Sequence, residues 1–311
     1  MENNKDTSPQ VFSNRTIDNL LVSGEFCIQH EWGIAQLHAY LHELDVLEMG
    51  ASFADLGISK RRESSMPGII SLHSGSYHIE NNSAAISNTE LTRARSIAHL
   101  KLNGVMRSED GMSSQGITSL INNIVMANQN PNIIGILIEA NTGGGETRAG
   151  QMLKNAIADS EKPVIVYAHL LASSGIMAAL QADEIIASSD AAEFGSIGTY
   201  FSFMKRFRDY YNMNYEDVYA DKSNNKNKDF REFLKGNLAP VTQKLNKVND
   251  MFLEDVKKYR PLSGDIENTL SGEMFFAKEA KKRGLIDGIG SFNYAVKRVL
   301  AHVSLRQNPS K

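Results

Sequence analysis

The chain has 311 residues, enough at roughly 150 per domain for one large domain or two modest ones with a real core. Its 33 Lys and Arg against 36 Asp and Glu leave a formal net charge of -3, which argues against a general polyanion binder and leaves only local patches, because phosphate affinity comes largely from clustered basic groups, and no nucleic-acid partner is expected. Hydrophobic content of 41% and charged content of 22% exclude wholesale disorder, collagen and coiled-coil arrays, and the single cysteine, Cys27, excludes an internal disulfide and a cysteine metal cluster.

Met1 to Gln10 lacks the basic start and apolar stretch of a secretion signal and reads as a frayed tail. From Phe12 to Glu48 apolar residues recur at helical intervals, Ile17, Leu20 and Leu21, then Ile34, Leu37, Leu41, Leu44 and Leu47, which predicts a helical N-terminal region. Ser64 to Thr92 carries Gly, Ser and Asn without a period, as a loop-rich connector does. The chain is therefore expected to divide near residue 90, into an N-terminal region over 1–90 and a second domain over 91–311.

Past that boundary short β-like runs alternate with helices. Ile97 to Val105 reads as a strand, Ile117 to Met126 as an amphipathic helix, and Asn132 to Ala140 as a strand apolar on both faces. Asn141 to Glu146 is a glycine turn and Thr147 to Ser160 a helix; Lys162-Pro163 then opens the strand Val164 to Ala168. Ser174 to Ala182 reads as helix, Glu184 to Ala187 as strand, Phe194 to Gly198 as turn, Phe201 to Tyr211 as amphipathic, and Tyr215 to Tyr219 as extended. One long helical stretch covers Asp229 to Tyr259, followed by helices at Ala277 to Arg283 and Tyr294 to Ala301. Strand, helix, strand in this order predicts parallel crossovers and a layered α/β domain. The longest apolar tract, Val164 to Leu180, is interrupted by His169, Ser173, Ser174 and Gly175, whereas a spanning helix needs ~20 apolar residues, so no membrane span is expected. The lone cysteine suits a reducing compartment, so the expected location is cytoplasmic.

Two turns could carry chemistry. Asn141-Thr142-Gly143-Gly144-Gly145 follows a buried strand, and its glycines let backbone N–H groups approach an oxyanion closely. A purely structural glycine turn reads the same way, and the spacing matches neither a P-loop nor G-x-G-x-x-G. Ala172-Ser173-Ser174-Gly175 also ends a strand, where a serine could act as a nucleophile beside the next residue's N–H, or serve simply as a helix cap. The G-x-S-x-G elbow of α/β-hydrolases is absent. For a base, His169 is five residues before Ser174, and Lys222, Lys226 and Lys228 share one polar segment; a lysine base must be neutral, which requires desolvation or a nearby cation.

Together these elements resemble, from about Ile97 to Val299, the signal peptide peptidase A family of Ser/Lys peptidases, including phage relatives that act as capsid maturation proteases. The resemblance rests on Asn141 to Gly145, Lys162-Pro163-Val164, Ala172-Ser173-Ser174-Gly175, Gly195-Ser196-Ile197-Gly198 and Ala280 to Gly288, in that order. It implies a Clp protease/crotonase-like α/β superhelix with a parallel sheet, here preceded by the helical N-terminal region. Residue matching implies Ser174 as nucleophile, Gly144 and Gly175 as oxyanion-hole donors, and Lys226 as base, with Lys228 as second choice, because Ser223-Asn224-Asn225-Lys226-Asn227 resembles the phage-type pattern. Gly143 replaces the family's proline, and Ile176 replaces a second glycine after the serine.

The expected function is that of a serine endopeptidase with no cofactor and no metal. Its substrates would be proteins or peptides, with phage or prophage capsid and scaffold proteins as partners and the host cytoplasm or the phage prohead as location. Ser/Lys relatives also imply a homo-oligomer in which a neighbouring copy completes each site, for which Phe203, Phe207, Tyr210 and Tyr211 offer apolar surface, unless they cover their own chain. The alternatives are a cytoplasmic signal-peptide-peptidase-like host protease, a crotonase-like acyl-CoA enzyme using the glycine turn without a serine, and a non-catalytic assembly protein.

Overall fold

The computed structural model describes residues 26–28, 66–73, 76–109, 116–203 and 206–307. Among these, Phe201–Pro240 form one compact unit and the rest a second, larger one.

The larger unit is organised by a nine-stranded, mostly parallel sheet. Three strands form its centre: β4 (Ser96–Asn103), β5 (Ile133–Thr142) and β7 (Val164–Ala172), paired parallel in the order β4-β5-β7. On the β4 side, β2 (Gly68–His73) and β3 (Ser76–Glu80) add an antiparallel hairpin. The segment expected to be a loop-rich connector thus extends the sheet. Gly68 and Ser71 in β2, and the polar residues of the outermost strand β3, break up the apolar run that would have marked it.

Beyond β7 the sheet forks. The first half of β7, Ile165 to Ala168, pairs with β8 (Glu184–Ala187), which in turn pairs with β11 (Gly288–Ile289). The second half, Leu170 to Ala172, pairs with β9 (Glu193–Gly195), whose other edge holds antiparallel β10 (Met274–Phe276). His169 falls at the fork, and the β5–β7 register shifts there: Ala140 is opposite Ala168 and Asn141 opposite Leu170.

Side chains alternate across the central strands. Ile97, Leu137, Ile165 and Tyr167 face one layer, closed by Ala295, Val296, Val299 and Val303 of the C-terminal helix α10 (Phe292–Gln307). Ala98, Leu100, Ile136, Ile138, Val164 and Val166 face the other layer. There they meet α2 (Ile117–Gln129), α3 (Thr147–Ala158), α4 (Ser174–Ala179) and Phe252 and Val256 of α7 (Ala239–Tyr259). Each fully buried aliphatic side chain contributes about 1.5–3 kcal/mol, so this apolar sandwich dominates the stability of the unit. Between β3 and β4 lies one short helix, α1 (Ala84–Ser87).

The remaining helices are α5 (Phe207–Asn214) and α6 (Lys228–Leu234) in the small unit, with α8 (Ile266–Thr269) and α9 (Ala277–Lys282) in the large one. The stretch Asp229 to Tyr259, expected as one helix, is two, because Gly236 at φ +87° ends the first. Tyr215 to Tyr219, expected to be extended, carries no strand. Of the segment expected to form the helical N-terminal region, only Phe26–Ile28 are described, and they are a strand, β1, rather than helix. The rest of that expectation lies outside the described residues.

Candidate active site

The two turns singled out in the sequence meet at the carboxyl ends of β5 and β7. After Thr142 the chain passes through Gly143 into β6 (Gly144–Glu146), so the expected turn ends in a short strand. Gly144 and Gly145 have φ of +100° and +155°, which L side chains rarely adopt. One edge of β6 is bound by Met106: its N–H donates to the Gly144 carbonyl at 2.8 Å, and its carbonyl accepts from the Glu146 N–H at 2.8 Å. A Cβ at Gly145 would sit 2.1 Å from the Met106 carbonyl oxygen. Gly145→Ala is therefore expected to cost on the order of 2–4 kcal/mol from strained φ plus overlap. Urea unfolding measures this, and a loss below about 0.5 kcal/mol would mean that the turn relaxes freely.

Around this strand the polar groups are tied together. The Thr142 hydroxyl donates to the Gly104 carbonyl at 2.7 Å and accepts the Gly144 N–H at 3.1 Å. The Glu146 carboxylate accepts from the Ser108 N–H at 2.8 Å and the Ser108 hydroxyl at 2.6 Å, fixing the segment after β4 against β6. Gly104, Met106 and Ser108 were not singled out in the sequence; nothing in their spacing marks them, and only the return of the chain to β6 gives them a part.

Ser173 and Ser174 occupy the turn from β7 into α4, and both are fully buried. Their environments differ. Ser173 has φ +57° and ψ -119°, a costly conformation for a residue with a Cβ, held by its N–H donating to the Gly195 carbonyl at 2.8 Å. Its hydroxyl has no hydrogen-bond partner. Ser174 is the first residue of α4; its hydroxyl faces the Met106 sulfur at 3.5 Å, and its Cβ packs against Gly150 of α3. A cap role for Ser173 finds no support, since its side chain makes no capping hydrogen bond. Gly175 is pressed against Thr142, where a Cβ would come within 2.8 Å of the Thr142 methyl. The structure therefore brings Ser173, Ser174 and Gly175 into one cluster with Thr142, the glycine turn containing Gly144, and Met106.

His169 is committed elsewhere. Its Nε2 is 3.1 Å from one Glu139 carboxylate oxygen, while buried His99 holds the other at 2.9 Å. The hydrogen bond from His99 is the main cause that pulls the Glu139 carboxyl down to about 2, against the opposing effect of burial, and His169 adds to it. Because the folded value lies below the ordinary 4.5, this arrangement contributes stability above pH 4.5 that is lost as pH falls toward 2. Glu139→Gln should accordingly lower urea stability at pH 7, and the gap to wild type should close between pH 4.5 and 2. A gap that stayed constant over that range would contradict the assignment.

Lys226 lies in the smaller unit, apart from the serine turn in the division of the chain. That unit has an aromatic core: Phe203 packs edge-on against Phe233 at 4.7 Å, and Phe207, Tyr211 and Phe230 join them. Phe203, Phe207 and Tyr211 thus cover their own chain, while Tyr210 remains 59% exposed. The segment carrying Lys226 is tied down by Asp217, which accepts from the Tyr211 and Tyr219 hydroxyls at 2.9 and 3.1 Å, and by Arg231, stacked 4.7 Å over Tyr219. Lys226 itself is exposed and lines a hollow of ≈ 290 Å³ together with Asp217, Tyr219, Ser223 and Asn227. Lys222 and Lys228 are exposed as well.

Residues 156–306 match the model of peptidase family S49. A protein named as a protease in Methanocaldococcus jannaschii is 31% identical over 184 residues, 55% of this chain and 57% of that protein. Protease 4 of Haemophilus influenzae is 28% identical over 191 residues, 58% of this chain and 30% of that protein. The chain thus aligns with a little over half of one relative and under a third of the other. Among solved structures, a ClpP1 mutant from Listeria monocytogenes aligns with TM-score 0.43 and 14% identity over 64% of this chain and 94% of that one. A mutant of the 1510-N membrane-bound stomatin-specific protease aligns with TM-score 0.43 and 18% identity over 67% of this chain and 86% of that one.

Among the described residues no group of three or more His, Cys, Asp or Glu side chains could hold a metal ion, and no helix is long and apolar enough to cross a membrane.

Proposed function

We propose that this chain is a serine endopeptidase of the S49 kind, working through a Ser/Lys dyad. The observation that carries the reading is the Ala172–Gly175 turn, a strained strand-to-helix corner with a buried, unpartnered hydroxyl, set beside a glycine turn that could hold an oxyanion. Of the two serines, geometry favours Ser173, because backbone strain and an unsatisfied hydroxyl are costs that a purely structural residue has no reason to carry. Ser174 is the second reading, favoured by the ungapped motif match from Lys162.

Lys226 would accept the serine proton, and the alkoxide would attack a peptide carbonyl carbon. The resulting oxyanion would take over the Gly144 N–H from Thr142 and accept a second hydrogen bond from the residue after the nucleophile, Ser174 here or Gly175 in the second reading. Collapse expels the amine, which takes the proton from Lys226, and water then hydrolyses the acyl-enzyme. Removing one oxyanion donor typically costs 10²–10³-fold in rate, less than loss of the nucleophile and within the range of a lost general base.

An exposed lysine is a poor base, since loss of its proton is favoured by desolvation. We therefore propose a homo-oligomer in which a second copy covers Lys226, with exposed Tyr210, Met213, Tyr215 and Val218 in the same unit available for packing. The finer role, processing of phage or prophage capsid and scaffold proteins, is supported by the resemblance of Ser223 to Asn227 to phage-type relatives. Portal and major capsid genes beside the coding gene would bear it out, and their absence would favour a host peptidase.

Labelling with a fluorophosphonate, followed by peptide mapping, tests the serine assignment. An adduct on Ser173 is expected. An adduct on Ser174 would select the second reading, and one outside residues 172–175 would refute both.

A further inference from the structure

One strand from the N-terminal part of the chain lies on the candidate site. β1 runs antiparallel to β6, with Ile28 opposite Gly144, Cys27 opposite Gly145 and Phe26 opposite Glu146. The other edge of β6 is already taken, since the Gly144 carbonyl and the Glu146 N–H are bonded to Met106. Hydrogen-bonding groups of successive strand residues point to opposite edges, which leaves the N–H and carbonyl of Gly145 for Cys27. An extended peptide adds to a sheet by meeting just such a free edge, through main-chain hydrogen bonds. The direction of β1 also matters: from Phe26 to Ile28 it runs toward Gly144, the candidate oxyanion donor, as the residues on the amino side of a bond to be cleaved would have to run.

We propose that Phe26–Ile28 is a built-in occupant of the edge on which a peptide substrate lies, so that substrate must displace the chain's own strand to bind. This rests on the peptidase reading above. Three residues paired with a partner rich in glycine form a short ladder, which suits an occupant that exchanges with substrate. Occupancy weakens apparent binding in proportion to the open fraction, so a strand docked nine-tenths of the time raises KM about 10-fold.

The test uses the full chain with fluorescein-labelled casein as the probe. Cys27→Pro removes the N–H that faces the Gly145 carbonyl and should lower KM several-fold with kcat little changed, whereas Cys27→Ser, which keeps the amide, should match wild type. Hydrogen exchange gives a second readout in the Ser173→Ala/Ser174→Ala double variant. Saturating casein should speed exchange at residues 26–28 while residues 144–146 stay protected, because one strand has replaced another. An unchanged KM in a folded Cys27→Pro protein, or unchanged exchange at 26–28 with casein bound, would overturn the proposal. If neither wild type nor Cys27→Pro cleaves casein, the peptidase reading fails instead, and the exchange measurement alone decides occupancy.

Discussion

Ser173→Ala is expected to lower casein hydrolysis by roughly 10³–10⁶-fold, the range seen when a covalent nucleophile is removed and only binding and oxyanion donors remain. The fold should survive, because alanine keeps the Cβ and the lost hydroxyl has no partner to strand. A small gain in stability is in fact expected, since an unsatisfied buried group disappears. Ser174→Ala should keep activity within about 10-fold of wild type, because its hydroxyl meets only the Met106 sulfur, a weak acceptor. Kinetics on both variants, with thermal unfolding to check folding, separate the assignments: loss confined to Ser174→Ala would move the nucleophile one residue along the chain.

The second large effect concerns the base. Lys226→Ala is expected to reduce kcat by roughly 10²–10⁴-fold, the usual contribution of a positioned general base, with a smaller change in KM. Lys222→Ala should be tolerated, while loss in Lys228→Ala alone would shift the role by two residues. Lys226 is exposed in its own unit, so mixing carries further information. Co-refolding inactive Ser173→Ala with inactive Lys226→Ala should restore some activity if sites span two copies, because mixed assemblies pair an intact serine with an intact lysine. Verified mixed oligomers without recovery would contradict shared sites and leave the dyad itself standing.

The parts of the fold that were legible in the sequence have enough residues to show a period. β4, α2, β5, α3 and β8 follow from apolar runs or stripes, and the alternation of strand and helix led to a layered, mostly parallel sheet. Three-residue strands such as β6 and β9 are too short to show one, and both fall in stretches expected as turns, β6 because two of its three residues are glycine and β9 because it runs into Gly195. The β2–β3 hairpin was hidden by polar residues at a sheet edge, and the break between α6 and α7 depends on one positive-φ glycine inside an otherwise helical pattern.

At the candidate site, residue types and order showed where the glycine and serine turns would meet. The ungapped motif match from Lys162 pointed to Ser174; the backbone strain and unpartnered hydroxyl that favour Ser173 are properties of the folded turn rather than of the residue type. His169 is a similar case. As one histidine on an apolar strand it could have been a base, and only the parallel pairing of β7 with β5, which sets it within hydrogen-bond reach of Glu139, reveals its partner.

On the proposed reading, a serine in the Ala172–Gly175 turn cleaves peptide bonds. Casein hydrolysis by the wild-type protein, compared with the Ser173→Ala/Ser174→Ala double variant at equal concentration and with folding verified, tests it most directly. Wild type should release peptides steadily and the double variant none above background. Equal release by both, or no release by wild type over a range of protein concentrations, would contradict that reading.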